Sequence, residues 1–129
     1  MITIEIDKCL AVINRAYSML GFKNGYSGKI DGGEEPTMGF MVAIRELATF
    51  DNLMSVSTGS LWRLLEKALN EIIIEDLYIG SFVSPDTGKV SFEVSVNLMD
   101  FDTAIKWGKE CNQKYIYDVV NEALIPVNE

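Results

Sequence analysis

The sequence predicts an α+β fold: a two-layer sandwich in which a small, mostly antiparallel sheet, a hairpin plus one crossover strand, is packed by three to four helices on one face. Three observations predict it. Apolar residues recur at helical spacing in two long segments, Lys8 to Leu20 and Ser60 to Ile72. Apolar and polar residues alternate strictly from Lys89 to Leu98, after a turn signal. A short helical pattern then leads into one more apolar run, the order expected when a last strand returns to the same sheet through a right-handed crossover. The 129 residues read as a single domain, 1–129, and 48% hydrophobic residues is ample for one core.

Taken in order, Ile2, Ile4 and Ile6 alternate with polar residues, as in a short strand or an irregular helix entry, and Asp7 can cap the first helix. In that helix Cys9, Leu10, Ile13, Ala16, Tyr17 and Leu20 form an apolar stripe, with Gly21 where a C-cap glycine belongs. The next sixteen residues, Gly21 to Pro36, hold five glycines and a proline. That many breakers make a loop with room for one short strand, and loops of this length are usually functional or disordered.

From Thr37 to Phe50, Phe40, Met41, Ile44, Leu47 and Ala48 share a helical face, whereas Met41, Ala43 and Leu47 also suit a strand. Helix is the reading preferred here. Ser60 is placed as the N-cap of an amphipathic helix carrying Leu61, Leu64, Leu65, Ala68, Leu69 and Ile72. The hairpin comprises Tyr78 to Val83 and Lys89 to Leu98 around Ser84, Pro85, Asp86, Thr87 and Gly88, with one face buried and the other wet. Asp100 or Asp102 caps a helix that Asn112 ends, and a strand follows around Tyr115 to Val119. Pro126 places any strand in the tail at a sheet edge.

Composition excludes several function classes. Histidine is absent, which removes the commonest general base and metal ligand, and no catalytic constellation stands out. Cys9 and Cys111 are far apart with no Cys-x-x-Cys spacing and read as free, buried apolar residues in a reducing compartment. A formal charge of −8 argues against duplex nucleic acid as a partner. No run nears the roughly 18 apolar residues of a membrane span, and the first ten residues lack the features of a signal peptide, so a cytoplasmic protein with no membrane partner is expected. The charge is uneven: acids outnumber bases from Glu66 to Glu129, whereas Lys8, Arg15, Lys23 and Lys29 are unopposed by any acid between Lys8 and Ile30.

That basic island overlaps the glycine-rich loop. Glycines let backbone N–H groups approach an anion, Lys23 and Lys29 add charge, and Phe22 and Tyr26 offer stacking faces. The segment is not a P-loop, because Gly28-Lys29 is followed by Ile30 and the position five before Gly28 is Lys23. Its alternative reading is a plain surface connection. Asp31, Glu34 and Glu35 could hold a hard cation, although acids before Pro36 and Thr37 also suit a helix start. Asp100 and Asp102 read as caps, and Glu75 and Asp76 as a solvated turn. Trp62 and Trp107 flank helical stripes, as interface anchors or as half-buried edges of the core.

The expectation is a non-enzymatic accessory protein that binds a small anionic, nucleotide-like ligand through Phe22, Lys23, Tyr26 and Lys29, with no cofactor. Sequestering a nucleotide signal, as a phage-type sponge would, needs a pocket but no acid, base or nucleophile. The alternatives are an acidic module that meets a basic protein partner and a metal-dependent enzyme using Asp31, Glu34 and Glu35. A mean hydropathy of +0.13 in so small a chain favours a homo-oligomer.

Overall fold

The computed structural model describes residues 6–20, 25–74 and 76–127. Among them the order is α1 (Ile6–Met19), β1 (Gly25–Lys29), β2 (Phe40–Phe50), α2 (Thr58–Glu71), β3 (Tyr78–Val83), β4 (Val90–Leu98), α3 (Phe101–Glu110), β5 (Tyr115–Asp118) and β6 (Ala123–Pro126). One turn of 3-10 helix, Leu53–Ser55, precedes α2. The six strands form one sheet in the order β1-β3-β4-β2-β5-β6, every neighbouring pair antiparallel. The α+β class holds, with a sheet larger than a hairpin and one crossover strand.

The segment from Thr37 to Phe50 is not a helix: its residues from Phe40 on form β2, the longest strand described. Its register against β4 shifts between Ala43 and Arg45 and again between Glu46 and Ala48, so Ile44 and Leu47 are extra residues at two bulges. Each insertion turns a spacing of two into three, and the apolar residues of a bulged strand then imitate the spacing of a helix. Bulges also sharpen the local twist, which bends the sheet about its long central strand.

The hairpin stands as expected. Val83 faces Val90, Ser84 N–H donates to the Lys89 carbonyl at 2.9 Å, and Gly88 takes the positive φ of 74° that closes the turn. On β4 the even-numbered residues Val90, Phe92, Val94 and Val96 are buried. They share one apolar cluster with Cys9, Ile13 and Ala16 of α1, Leu61, Leu65 and Ala68 of α2, and Ala104 of α3. Ser81 ties α1 to β3 within this core, its hydroxyl donating to the Ala16 carbonyl at 2.8 Å.

Helix ends follow local chemistry. The N-cap of α2 is Ser57 rather than Ser60; Ser57 Oγ accepts from the Ser60 N–H at 3.3 Å, three residues on, where a cap side chain reaches. Asp100 caps α3 as expected, accepting from the Thr103 N–H at 2.9 Å. Asn112 ends that helix with φ of 62°, and Gln113 N–H closes back on the Gly108 carbonyl at 2.8 Å. Gly108 itself allows α3 to lie close on β5, since a Cβ there would meet Ile116 and Val127 at 3.0 Å. α3 leads into β5, which pairs with β2 rather than β4, so β4 and β5 run the same way with β2 between them. β6 lies at the sheet edge, with Pro126 opposite Tyr115. Asp7, the expected cap, already lies within α1; Ile2, Ile4 and the Gly21 cap lie outside the described residues.

Candidate functional site

Strand pleating sends alternate residues to opposite faces, so the odd-numbered residues of β4 point away from the apolar core. They are Ser91, Glu93, Ser95 and Asn97. Register then assembles one transverse row on that face: Ser27 of β1 faces Gly80 of β3, Gly80 faces Glu93 of β4, and Glu93 faces Glu46 of β2. The next row repeats the pattern with Gly25, Phe82, Ser91 and Thr49.

This face lines a cavity of about 740 Å³. Its floor holds Glu46, Glu93 and the serines, and Tyr115 and Tyr117 of β5 stand along one side. Gly80 keeps the centre open, since even a Cβ at that position would meet Ser95 Oγ at 3.2 Å. The volume falls within the range of small-molecule sites.

Electrostatically the cavity is acidic. Glu35, Glu46, Glu93 and Glu122 line it, and the cation among its described lining residues is Lys114. That ammonium is held by Asp86 Oδ2 at 3.0 Å, a bond that raises the Lys114 pKa. Glu93 keeps part of its surface open to the cavity while protein surrounds it on its other sides. Burial, and secondarily the charge of Glu46, push its carboxyl up to about 7. Glu46 accepts a hydrogen bond from the Thr49 hydroxyl, which lies 3.3 Å from Ser91 Oγ.

The residues singled out in the glycine-rich loop are distributed differently. Phe22 and Lys23 lie outside the described residues. Tyr26 is in β1 with its ring in the core, its hydroxyl donating to the Gly33 carbonyl at 3.2 Å and the Arg15 guanidinium 5.9 Å from the ring centre. Lys29 is three residues along the same strand and so on the opposite face, where it pairs with Asp76 at 3.4 Å. That pairing, reinforced by Asp31, raises the Lys29 pKa. Strand geometry therefore separates Tyr26 from Lys29, and folding places acids beside a lysine that has no acid before it in its own stretch of sequence.

Asp31, Glu34 and Glu35 do not converge: Asp31 acts on Cys9 and Lys29, whereas Glu35 lines the cavity. Among the described residues no three His, Cys, Asp or Glu side chains are grouped to hold a metal ion. Cys9 is buried, and burial followed by the Asp31 charge raises its thiol to about 11, which leaves it un-ionised at neutral pH. Cys111 is only half-buried, at the end of α3, and not in the core as its apolar character suggests. Trp62 and Trp107 are half-buried against the core. Asp76 is exposed in a turn, and Glu75 lies outside the described residues.

No protein-family model, curated protein or solved structure matches this chain. No described helix is long and apolar enough to cross a membrane.

Sequence reasoning does not find this site. Its residues come from all six strands, and the odd-numbered face of β4 reads simply as wet. A glutamate midway along that face is the available signal, but its neighbour Glu46 lies in a segment whose spacing points to a helix.

Proposed function

We propose that this protein is a non-enzymatic binding protein whose small-molecule ligand enters the open face of the sheet. The observation that carries this reading is the cavity of about 740 Å³ floored by the row Ser27, Gly80, Glu93 and Glu46. A rigid sheet floor with a few polar groups and aromatic sides suits recognition. The described lining holds no histidine, cysteine or arranged nucleophile and base, which favours binding over turnover. In this reading the helices form the closed layer of a two-layer sandwich and the other sheet face is left for the ligand.

Amide chemical-shift mapping of the labelled protein against a fragment set tests it. Shifts of the Ser27, Gly80, Glu93 and Ser95 amides are expected. Shifts confined to Lys29 and its neighbours would instead favour a second reading, an anion at the basic loop, for which the observation is the Arg15 guanidinium standing over the Tyr26 ring. Absence of any shift would remove both.

Self-association is part of the same proposal. Met38, Met99, Phe101 and Val120 are exposed large apolar residues. They gather around Gly39: the Met99 side chain packs where a Cβ of residue 39 would stand, Phe40 and Phe101 stack edge to face at 5.5 Å, and Val119 N–H donates to the Gly39 carbonyl at 3.1 Å. An apolar patch on so small a chain is a natural surface for a second copy.

A further inference from the structure

We propose that the cavity takes a small organic cation, an alkylammonium or guanidinium compound, seated against the carboxylates of Glu46 and Glu93. This rests on the reading of the sheet face as a ligand pocket and names the ligand's chemical class.

Like charges placed directly opposite each other across two strands repel, and partial burial of one of them adds to the cost. Glu46, which is exposed, and Glu93, which is half-buried, hold that relationship on the cavity floor. Among the described lining residues no cation compensates them, because Lys114 is turned to Asp86. A cationic ligand provides the missing charge and can donate charge-assisted hydrogen bonds to both carboxylates at once. Tyr115 and Phe82 supply aromatic surface of the kind that attracts cations, and Ser27, Ser91 and Ser95 supply further acceptors for N–H groups.

Competing ligand classes fit less well. An anion would face four glutamates. A bare divalent ion needs about six oxygen ligands in a tight shell, whereas this floor offers two carboxylates in a space sized for a molecule.

The class also fixes a pH dependence. Glu46 of β2 lies directly opposite Glu93; Lys114, Tyr115, Tyr117, Glu35 and Glu122 share the cavity lining with it, and Lys29, which pairs with Asp76, and Tyr78 lie one row along the same sheet face. Since the Glu93 carboxyl titrates near 7, its charge, and with it cation affinity, declines as the pH falls through neutrality.

The test is calorimetric titration of the intact protein with putrescine and with agmatine at about pH 8 and about pH 5.5, beside amide shift mapping. Micromolar to millimolar binding is expected at the higher pH, weakened about tenfold at the lower. Glu93→Gln and Glu46→Gln should each weaken it about tenfold or more, and Glu93→Gln should abolish the pH dependence, with an unchanged amide spectrum away from the cavity verifying the fold. A neutral amide probe such as N-methylacetamide, and inorganic phosphate, separate failure of the cation class from failure of the pocket. If either shifts the Gly80 and Ser95 amides while the diamines do not, the pocket stands and the cation class is overturned. If no probe of any charge shifts them, the pocket reading falls as well. Binding of an oligolysine peptide without binding of either small cation would overturn the small-molecule class in favour of a basic protein partner.

Discussion

Glu46 and Glu93 face each other directly across the β2 and β4 pairing, on the side of the sheet that the apolar core does not use. Two acids in that relationship destabilise the folded protein unless one takes up a proton or a cation comes between them.

Folding stability should therefore depend on Glu93. Its carboxyl binds a proton up to about pH 7 in the folded chain but only to about 4.5 when unfolded. Between those values the folded state holds more protons, so stability declines as pH rises through this window and the full penalty persists above it. Glu93→Gln should be more stable than the wild type at pH 8 by about 1–3 kcal/mol and indistinguishable near pH 4. Urea midpoints at the two pH values measure the difference; equal midpoints at pH 8 would show that the carboxyl is well solvated.

Val94 is fully buried at the centre of β4, between β2 and β3. Val94→Asp places a carboxylate there without a partner and should cost several kcal/mol, about 3–5. Thermal unfolding followed by circular dichroism reads this directly, and an unchanged midpoint would contradict the placement of Val94 in the core.

Gly108 permits the contact of α3 with β5 and the tail. Gly108→Leu gains helix propensity of about 1 kcal/mol but drives a side chain into Ile116 and Val127, each already 3.0 Å from where the Cβ would stand. Overpacking should win, for a net loss of about 1–3 kcal/mol. A stabilised variant would mean that α3 lifts freely from the sheet.

Self-association through the patch around Gly39 predicts a species larger than the 14.4 kDa chain at micromolar concentration. Phe101→Glu should shift sedimentation to the monomer without loss of helical signal, because Phe101 is 46% exposed. A wild-type protein that sediments as a monomer at every concentration would exclude the oligomer.

Some elements are determined by local sequence alone. The alternation from Lys89 to Leu98 specifies β4, the stripe from Leu61 to Leu69 specifies α2, and Asp100 and Asn112 bracket α3, because periodicity, turn residues and caps act over a few residues of chain. Tertiary structure decided the rest. Whether residues 40–50 form strand or helix turned on bulges that exist only against β4, since pairing is what defines an extra residue. Lys29 belongs to a basic stretch of sequence, yet Asp76 arrives beside it from 47 positions away. The cavity depends on register: only the pairing of Ser27 with Gly80, Gly80 with Glu93 and Glu93 with Glu46 brings these four residues into one row. Such pairings are long-range, and a one-residue slip would send the same side chains to the other face.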